Sequence, residues 1–389
     1  MSKRIVVCCD GTWNTPDQLA PTNVSKVAQA IAPTDPFGRE QRTFYHRGVG
    51  TNRWDRILGG GFGFGLSRNV RDAYRFLVQN FEPGDEVFFF GFSRGAFTAR
   101  STVGLIRNCG ILRRKHADLV DKAYAFYRSR KSTTHPRSME AQLFRRSYSH
   151  ETNIRFIGVW DTVGALGIPL SGLRLVNLIN RRWQFHDTAL SAIVDAAFHA
   201  LAIDEKRAPF QPAIWAPPAT KAAHQRLEQV WFSGVHSDVG GGYQDPALAE
   251  IALVWMVDRA RDCGLAFDPN AFLPLPPSGA EKLQLTYRYV DPKALGHIHE
   301  SRKGFYRLSR PFVRKLGDTD RDHEYVASTA IERQQQMQAY TSPGLVTYLR
   351  GPHQVMKVCA AGKDERGHMH PHDARNLRLY SGVAETKLG

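Results

Sequence analysis

Nowhere in the 389 residues do about 18 apolar side chains follow one another, the run a membrane-crossing helix needs. The start is equally bare. Met1-Ser2-Lys3-Arg4 leads into only Ile5 to Cys9, too short for a signal-peptide core and without a small-residue cleavage site, so the run reads as a strand. The expectation is a cytoplasmic protein, or one exported by a route that needs no signal peptide. Cysteine is scarce. Five residues, an odd number with no C-x-x-C pair, exclude a disulfide framework and point to reduced thiols. No internal repeat or low-complexity tract is present, which sets aside solenoids and propellers. No zinc-finger or RNA-binding signature accompanies the positive charge, so a nucleic-acid partner is not expected.

Acidic residues are the minority. Lys and Arg number 52 against 37 Asp and Glu, a formal charge of +15 that by itself favours any anionic partner, whether nucleic acid, a phospholipid surface or a phosphate-bearing substrate. The basic residues are scattered, as in Arg113-Arg114-Lys115 and Arg181-Arg182.

Four apolar runs each end abruptly in a turn that carries a reactive side chain: Ile5 to Cys9 before Asp10, Asp85 to Phe92 before Ser93, Ile154 to Trp160 before Asp161, and Val230 to Val235 before His236. Their nearly continuous apolarity suits central strands of a parallel sheet covered on both faces. Ligands bind at the carboxyl edge of such a sheet, so strand-terminal residues from distant segments converge there. Helices are expected at Asn69 to Phe81, from Ser93 through Leu105, and at Leu248 to Cys263. The glycine-rich stretch Gly59 to Leu66 lacks the Lys-Ser/Thr of a P-loop and reads as a flexible loop. The expected fold class is α/β, a mostly parallel sheet with helices on both faces. It divides into a hydrolase-type domain over residues 1–275, a cap or lid insertion at about 165–225, and an extension over 276–389 that packs on or completes the domain and shows no strand-helix rhythm.

Gly91-Phe92-Ser93-Arg94-Gly95 fits G-x-S-x-G with a strand before it and a helical run after it, the context of a nucleophile elbow. A serine hydroxyl needs a base, itself held by an acid, and in α/β-hydrolases these follow in the order serine, acid, histidine. Asp161 and His236 satisfy that order. Asp238 competes for the acid role but lies only two residues from His236, so it ranks second, as a loop-ordering carboxylate; His186, His199 and His224 are the alternative bases. The turn Asp10-Gly11-Thr12-Trp13-Asn14 follows the first strand. Backbone N–H groups of Gly11 or Thr12, with that of Arg94, are candidate oxyanion donors, while Asp10 and Trp13 order the loop or bind substrate. No cofactor or metal is needed for this chemistry. A rival reading makes Asp10, Asp161, Asp238 and His236 ligands of a divalent cation for phosphoester cleavage. Another makes the chain a basic binding module for an anionic surface.

These motifs, together with Arg47-Gly48-Val49-Gly50-Thr51, Pro83-Gly84-Asp85 and His236-Ser237-Asp238-Val239-Gly240-Gly241-Gly242-Tyr243, resemble a family of α/β-hydrolases that includes type VI secretion phospholipase effectors. The resemblance covers about the first 260 residues. It implies a serine hydrolase with a Ser93-His236-Asp161 triad that cleaves phospholipid acyl esters. It also places Leu201 to Arg207 within the hydrolase region, in a structural role.

Overall fold

The computed structural model describes residues 2–11, 20–48, 61–129, 131–164, 189–217, 225–275, 287–308 and 310–358. Thr12, Trp13, Val49 to Thr51, Arg181, Arg182, His186 and His224 lie outside them.

Eight strands form one sheet: β1 Arg4–Cys9, β2 Gln41–His46, β3 Glu86–Phe92, β4 Phe156–Trp160, β5 Ala196–Ala202, β6 Arg226–Phe232, β7 Glu324–Ala327 and β8 Val355–Met356. Their spatial order is β8-β7-β6-β5-β4-β3-β1-β2, and every neighbouring pair is parallel. All six residues of β1 are buried, as are all five of β4, because helices cover both faces and leave no side for polar alternation. This is the expected α/β class.

On one face, α1 (Asn23–Ala30) and α7 (Ala247–Asp262) pack Val24, Val27, Leu253 and Met256 against Phe88, Phe90 and Phe156. On the other, α2 (Gly61–Asn80) and α3 (Arg94–Cys109) bring Val70, Tyr74, Leu77, Ala99 and Ile106 onto Ile5, Val7 and Phe89. Two shorter helices, α4 (Val120–Arg128) and α5 (Met139–Tyr148), flank α3. Between β6 and α7 lies one short helix, α6 (His236–Gly240).

Two expectations need correction. The glycine-rich stretch is not wholly a loop, since α2 already begins at Gly61. Each glycine disfavours helix by about 1 kcal/mol relative to alanine, but the buried stripe Leu66, Val70, Tyr74 and Leu77 rewards continuing the helix onto the sheet. The cap boundaries also fail in part: Ala196–Ala202, within the 165–225 range, is strand β5, hydrogen-bonded between β4 and β6. Its sequence AAFHALA carries little β propensity, and only the central position, with all seven residues buried, makes it a strand. Residues 165–188 and 218–224 lie outside the described set.

The chain beyond residue 275 supplies β7 and β8, and with them α8 (Ser328–Gln336) and α9 (Pro343–Leu349). A third apolar cluster joins Leu201 and Trp231 to Leu316, Val326, Ala330 and Leu345. Glu324, fully buried, accepts hydrogen bonds from Trp231 Nε1 (2.9 Å) and from the backbone N–H groups of Gly317 (2.8 Å) and Asp320 (2.9 Å). One carboxylate thus ties the loop before β7 to the sheet.

Candidate active site

Strand β1 has β2 on one side and β3 on the other, so the chain order reverses there, and the carboxyl ends of β1 and β3 flank a topological switch point. Asp10 leaves β1 and Ser93 leaves β3 at that edge. Asp161 follows β4, and His236 opens α6 beyond β6. The serine sits at φ 57° and ψ −122°, a left-handed conformation uncommon for a side-chain-bearing residue, and caps α3. Its own N–H donates to the Trp160 carbonyl at 3.0 Å. The flanking glycines are sterically required. A Cβ on Gly95 would collide with the backbone carbonyls of Cys9 and Asp10, and one on Gly91 would lie 2.6 Å from Ala96 Cα.

His236 Nδ1 lies 2.5 Å from Asp161 Oδ2, and His236 Nε2 lies 2.8 Å from Ser93 Oγ. An ionised carboxylate only accepts, so Nδ1 carries the proton and Nε2 accepts from the serine hydroxyl. The imidazole stands between the Phe92 ring, 4.7 Å away, and the Phe210 ring, 4.9 Å away. Gly240 makes room for this packing, because a Cβ there would collide with Phe92. Burial pushes the His236 pKa below its ordinary value, against the opposing pull of the Asp161 bond and charge. The neutral ring is therefore favoured.

Asp161 is fully buried and stands at φ 38°. Its Oδ1 accepts from the Ala202 N–H at 3.0 Å, and both oxygens meet Arg314, at 2.6 Å from Nη1 and 3.0 Å from Nη2. Burial alone would raise its pKa, but the Arg314 charge and the His236 bond outweigh burial and hold the carboxyl below the usual range. Asp238, the other acid left open by the sequence, faces elsewhere. It accepts from His299 Nδ1 at 2.6 Å and from the N–H groups of Val235 (3.0 Å) and His299 (3.1 Å).

Asp10 ties its turn together: Oδ2 accepts from Thr22 Oγ1 and Tyr45 OH, each at 2.6 Å, and Oδ1 accepts from the Gly11 N–H at 2.6 Å. The Gly11 amide is thereby engaged by the side chain next to it. Arg94 is the first residue of α3, where backbone N–H groups point out of the helix toward the serine's side of the turn. Burial lowers its guanidinium pKa to about 10.

His199 is buried in β5, with Nε2 accepting the Thr162 N–H at 3.1 Å. Burial and the Arg100 charge lower its pKa to about 3, so it is a neutral core histidine. Of the four residues of the metal reading, Asp161 and His236 bond to each other while Asp10 and Asp238 are each engaged elsewhere, and no cluster of three or more metal-ligating side chains occurs among the described residues.

Sequence reasoning missed Arg314 and Glu205. Glu205, 1% exposed, accepts from Arg207 Nη2 (2.8 Å), from Ser301 Oγ (3.0 Å) and from the His236 N–H (3.3 Å). The Arg207 guanidinium lies over the Phe210 ring at 3.5 Å. Glu205 had a signal, since it lies in the Leu201 to Arg207 segment already singled out as structural. Arg314 had none, being one arginine among many in an irregular stretch.

The chain is 30% identical over 237 residues to the uncharacterized protein YEL023C of Saccharomyces cerevisiae, a match covering 55% of this chain and 33% of the yeast protein. It thus spans about a third of that relative's length. The sequence pattern described as "T6SS, Phospholipase effector Tle1-like, catalytic domain" matches residues 3–259, well over half of the chain. On that match, and with the parallel sheet that carries it, the chain belongs to the family of Tle1-like phospholipase effector catalytic domains.

Proposed function

We propose that the protein hydrolyses carboxylic esters, phospholipid acyl esters foremost, through an acyl-enzyme on Ser93. The observation that carries this reading is the unbroken hydrogen-bonded path from Ser93 Oγ through His236 to Asp161. His236 Nε2 takes the hydroxyl proton as Oγ attacks the ester carbonyl carbon, and Asp161 orients the imidazolium. Collapse of the tetrahedral intermediate breaks the bond to the leaving alcohol, which receives the proton from Nε2. Water, deprotonated by the same nitrogen, then releases the fatty acid and restores Ser93. The oxyanion falls to the Arg94 backbone N–H, joined by that of Gly11 once it leaves Asp10 Oδ1.

Family membership supports a lipid ester as substrate. The +15 charge suits an anionic phospholipid surface as the place of work. The same reading takes residues 1–275 as the hydrolase domain and 276–389 as an extension that completes it.

Reaction with a fluorophosphonate, followed by mass mapping of the adduct, checks the assignment. The label is expected on Ser93, and turnover of aryl esters and phospholipids is expected to persist in EDTA. An unlabelled Ser93 with activity lost to EDTA would transfer the protein to the metal-dependent phosphoesterases.

A further inference from the structure

Arg314 lies outside residues 3–259, the part of the chain matched by the family, yet its guanidinium reaches the centre of the site. We propose that Arg314 is a positioning residue for the reaction: it clamps Asp161 in the orientation that meets His236 and offsets the carboxylate charge, so that the imidazole stays neutral and able to accept the serine proton. The inference rests on the ester-hydrolase reading above.

Geometry makes the clamp rigid. The two terminal nitrogens address the two oxygens of Asp161 separately, a bidentate fork that fixes the plane of the carboxylate. The fork is itself anchored, since Nη1 donates to the Ala202 carbonyl at 2.7 Å and Nη2 to the Phe210 carbonyl. The side chains of Arg314 and Asp161 are 1% and 0% exposed, so little solvent screens the pair. The segment that delivers Arg314 is held to the sheet by Glu324 through Gly317 and Asp320.

The electrostatic consequence follows from the groups around His236. Asp161 faces it from the end of β4 and is paired to Arg314 from the loop before β7. Glu205 faces it from the loop after β5 and is paired to Arg207. Asp238, on the same short helix, is paired to His299, and Arg94 stands at the start of α3 beyond the serine. Each nearby carboxylate therefore has a cationic or protonatable partner of its own. A lone buried aspartate would strongly favour the imidazolium. An aspartate already held by a guanidinium favours it less, so that burial, aided by the Arg207 charge, outweighs Asp161 and Glu205 and keeps the His236 pKa below its ordinary value.

The test compares wild type, Arg314→Gln and Arg314→Lys by the pH dependence of kcat/KM and by NMR titration of ¹³C-labelled histidine at His236. In wild type the His236 titration is expected below about 6.5, the ordinary histidine value. Loss of the cation in Arg314→Gln raises that pKa, so the acidic limb of kcat/KM should move up by about one pH unit, with kcat reduced and KM changed less than about twofold. Arg314→Lys keeps the charge without the fork, so its limb stays near that of wild type while kcat falls.

A wild-type His236 titrating at or above its ordinary value overturns the proposal, and so does a limb that does not move in a folded Arg314→Gln. Should Arg314→Gln not fold, the wild-type titration and the Arg314→Lys limb decide. The NMR titration needs no turnover. A wild type inert to esters and to fluorophosphonate would remove the hydrolase reading, while its titration would still decide the clamp.

Discussion

Ser93→Ala is expected to lower kcat on an aryl ester by about a millionfold, to the residual rate that binding and oxyanion stabilisation alone sustain. The substitution deletes the attacking oxygen and nothing else the site depends on. The backbone at φ 57° strains serine and alanine alike, so the strain cancels in the comparison. The lost hydroxyl leaves His236 Nε2 beside a small space and removes one hydrogen bond, a change of about 1 kcal/mol in stability. Steady-state kinetics with a thermal melt on the same sample read both effects. Full turnover in a folded Ser93→Ala protein would end the nucleophile assignment.

The second large effect belongs to Asp161→Asn, which acts on chemistry and on folding together. An amide oxygen still accepts, but its NH2 group confronts either Arg314 or the imidazole. The ring then settles in the tautomer that cannot take the serine proton, and kcat should fall about 10⁴-fold. The fold loses as well, since the neutral amide leaves the buried Arg314 guanidinium without its counter-charge, at a cost of about 3–5 kcal/mol.

A urea titration as a function of pH adds a sign. The Asp161 carboxyl is depressed in the folded state, so the stability it contributes is fully present above its unfolded value near pH 4, and is lost as pH falls through the folded value. Asp161→Asn should therefore lie below wild type at neutral pH and approach it in strong acid. Equal stability of the two at pH 7 would contradict the account of the buried pair.

What the sequence discloses follows from the range of the forces that act. The ends of β1, β3 and β4 are legible because a central parallel strand must be apolar throughout and must stop where the chain meets solvent or ligand, a local pattern. The Ser93 turn is legible because two close backbone approaches demand glycine at positions 91 and 95. Strand β5 is not, since AAFHALA becomes a strand only when β4 and β6 accept it.

Strands β7 and β8, of four and two residues, are too short to show a period. Choosing between Asp161 and Asp238 needs the direction of each side chain, which spacing along the chain does not encode. The pairing of Arg314 with Asp161 spans 153 positions and leaves no mark on the residues between.

That span, with the 75 positions between Asp161 and His236 and the 143 between Ser93 and His236, also dates the site within the life of the molecule. A chain emerging from the ribosome presents Ser93 long before any histidine stands beside it, and a serine without its base is an ordinary alcohol. Parallel pairing between distant strands pays loop-closure entropy before it gains contacts, so the edge that joins these residues forms slowly. On the proposed mechanism, the half-made polypeptide is inert toward esters until the segment that carries His236 docks beside Ser93 and Asp161.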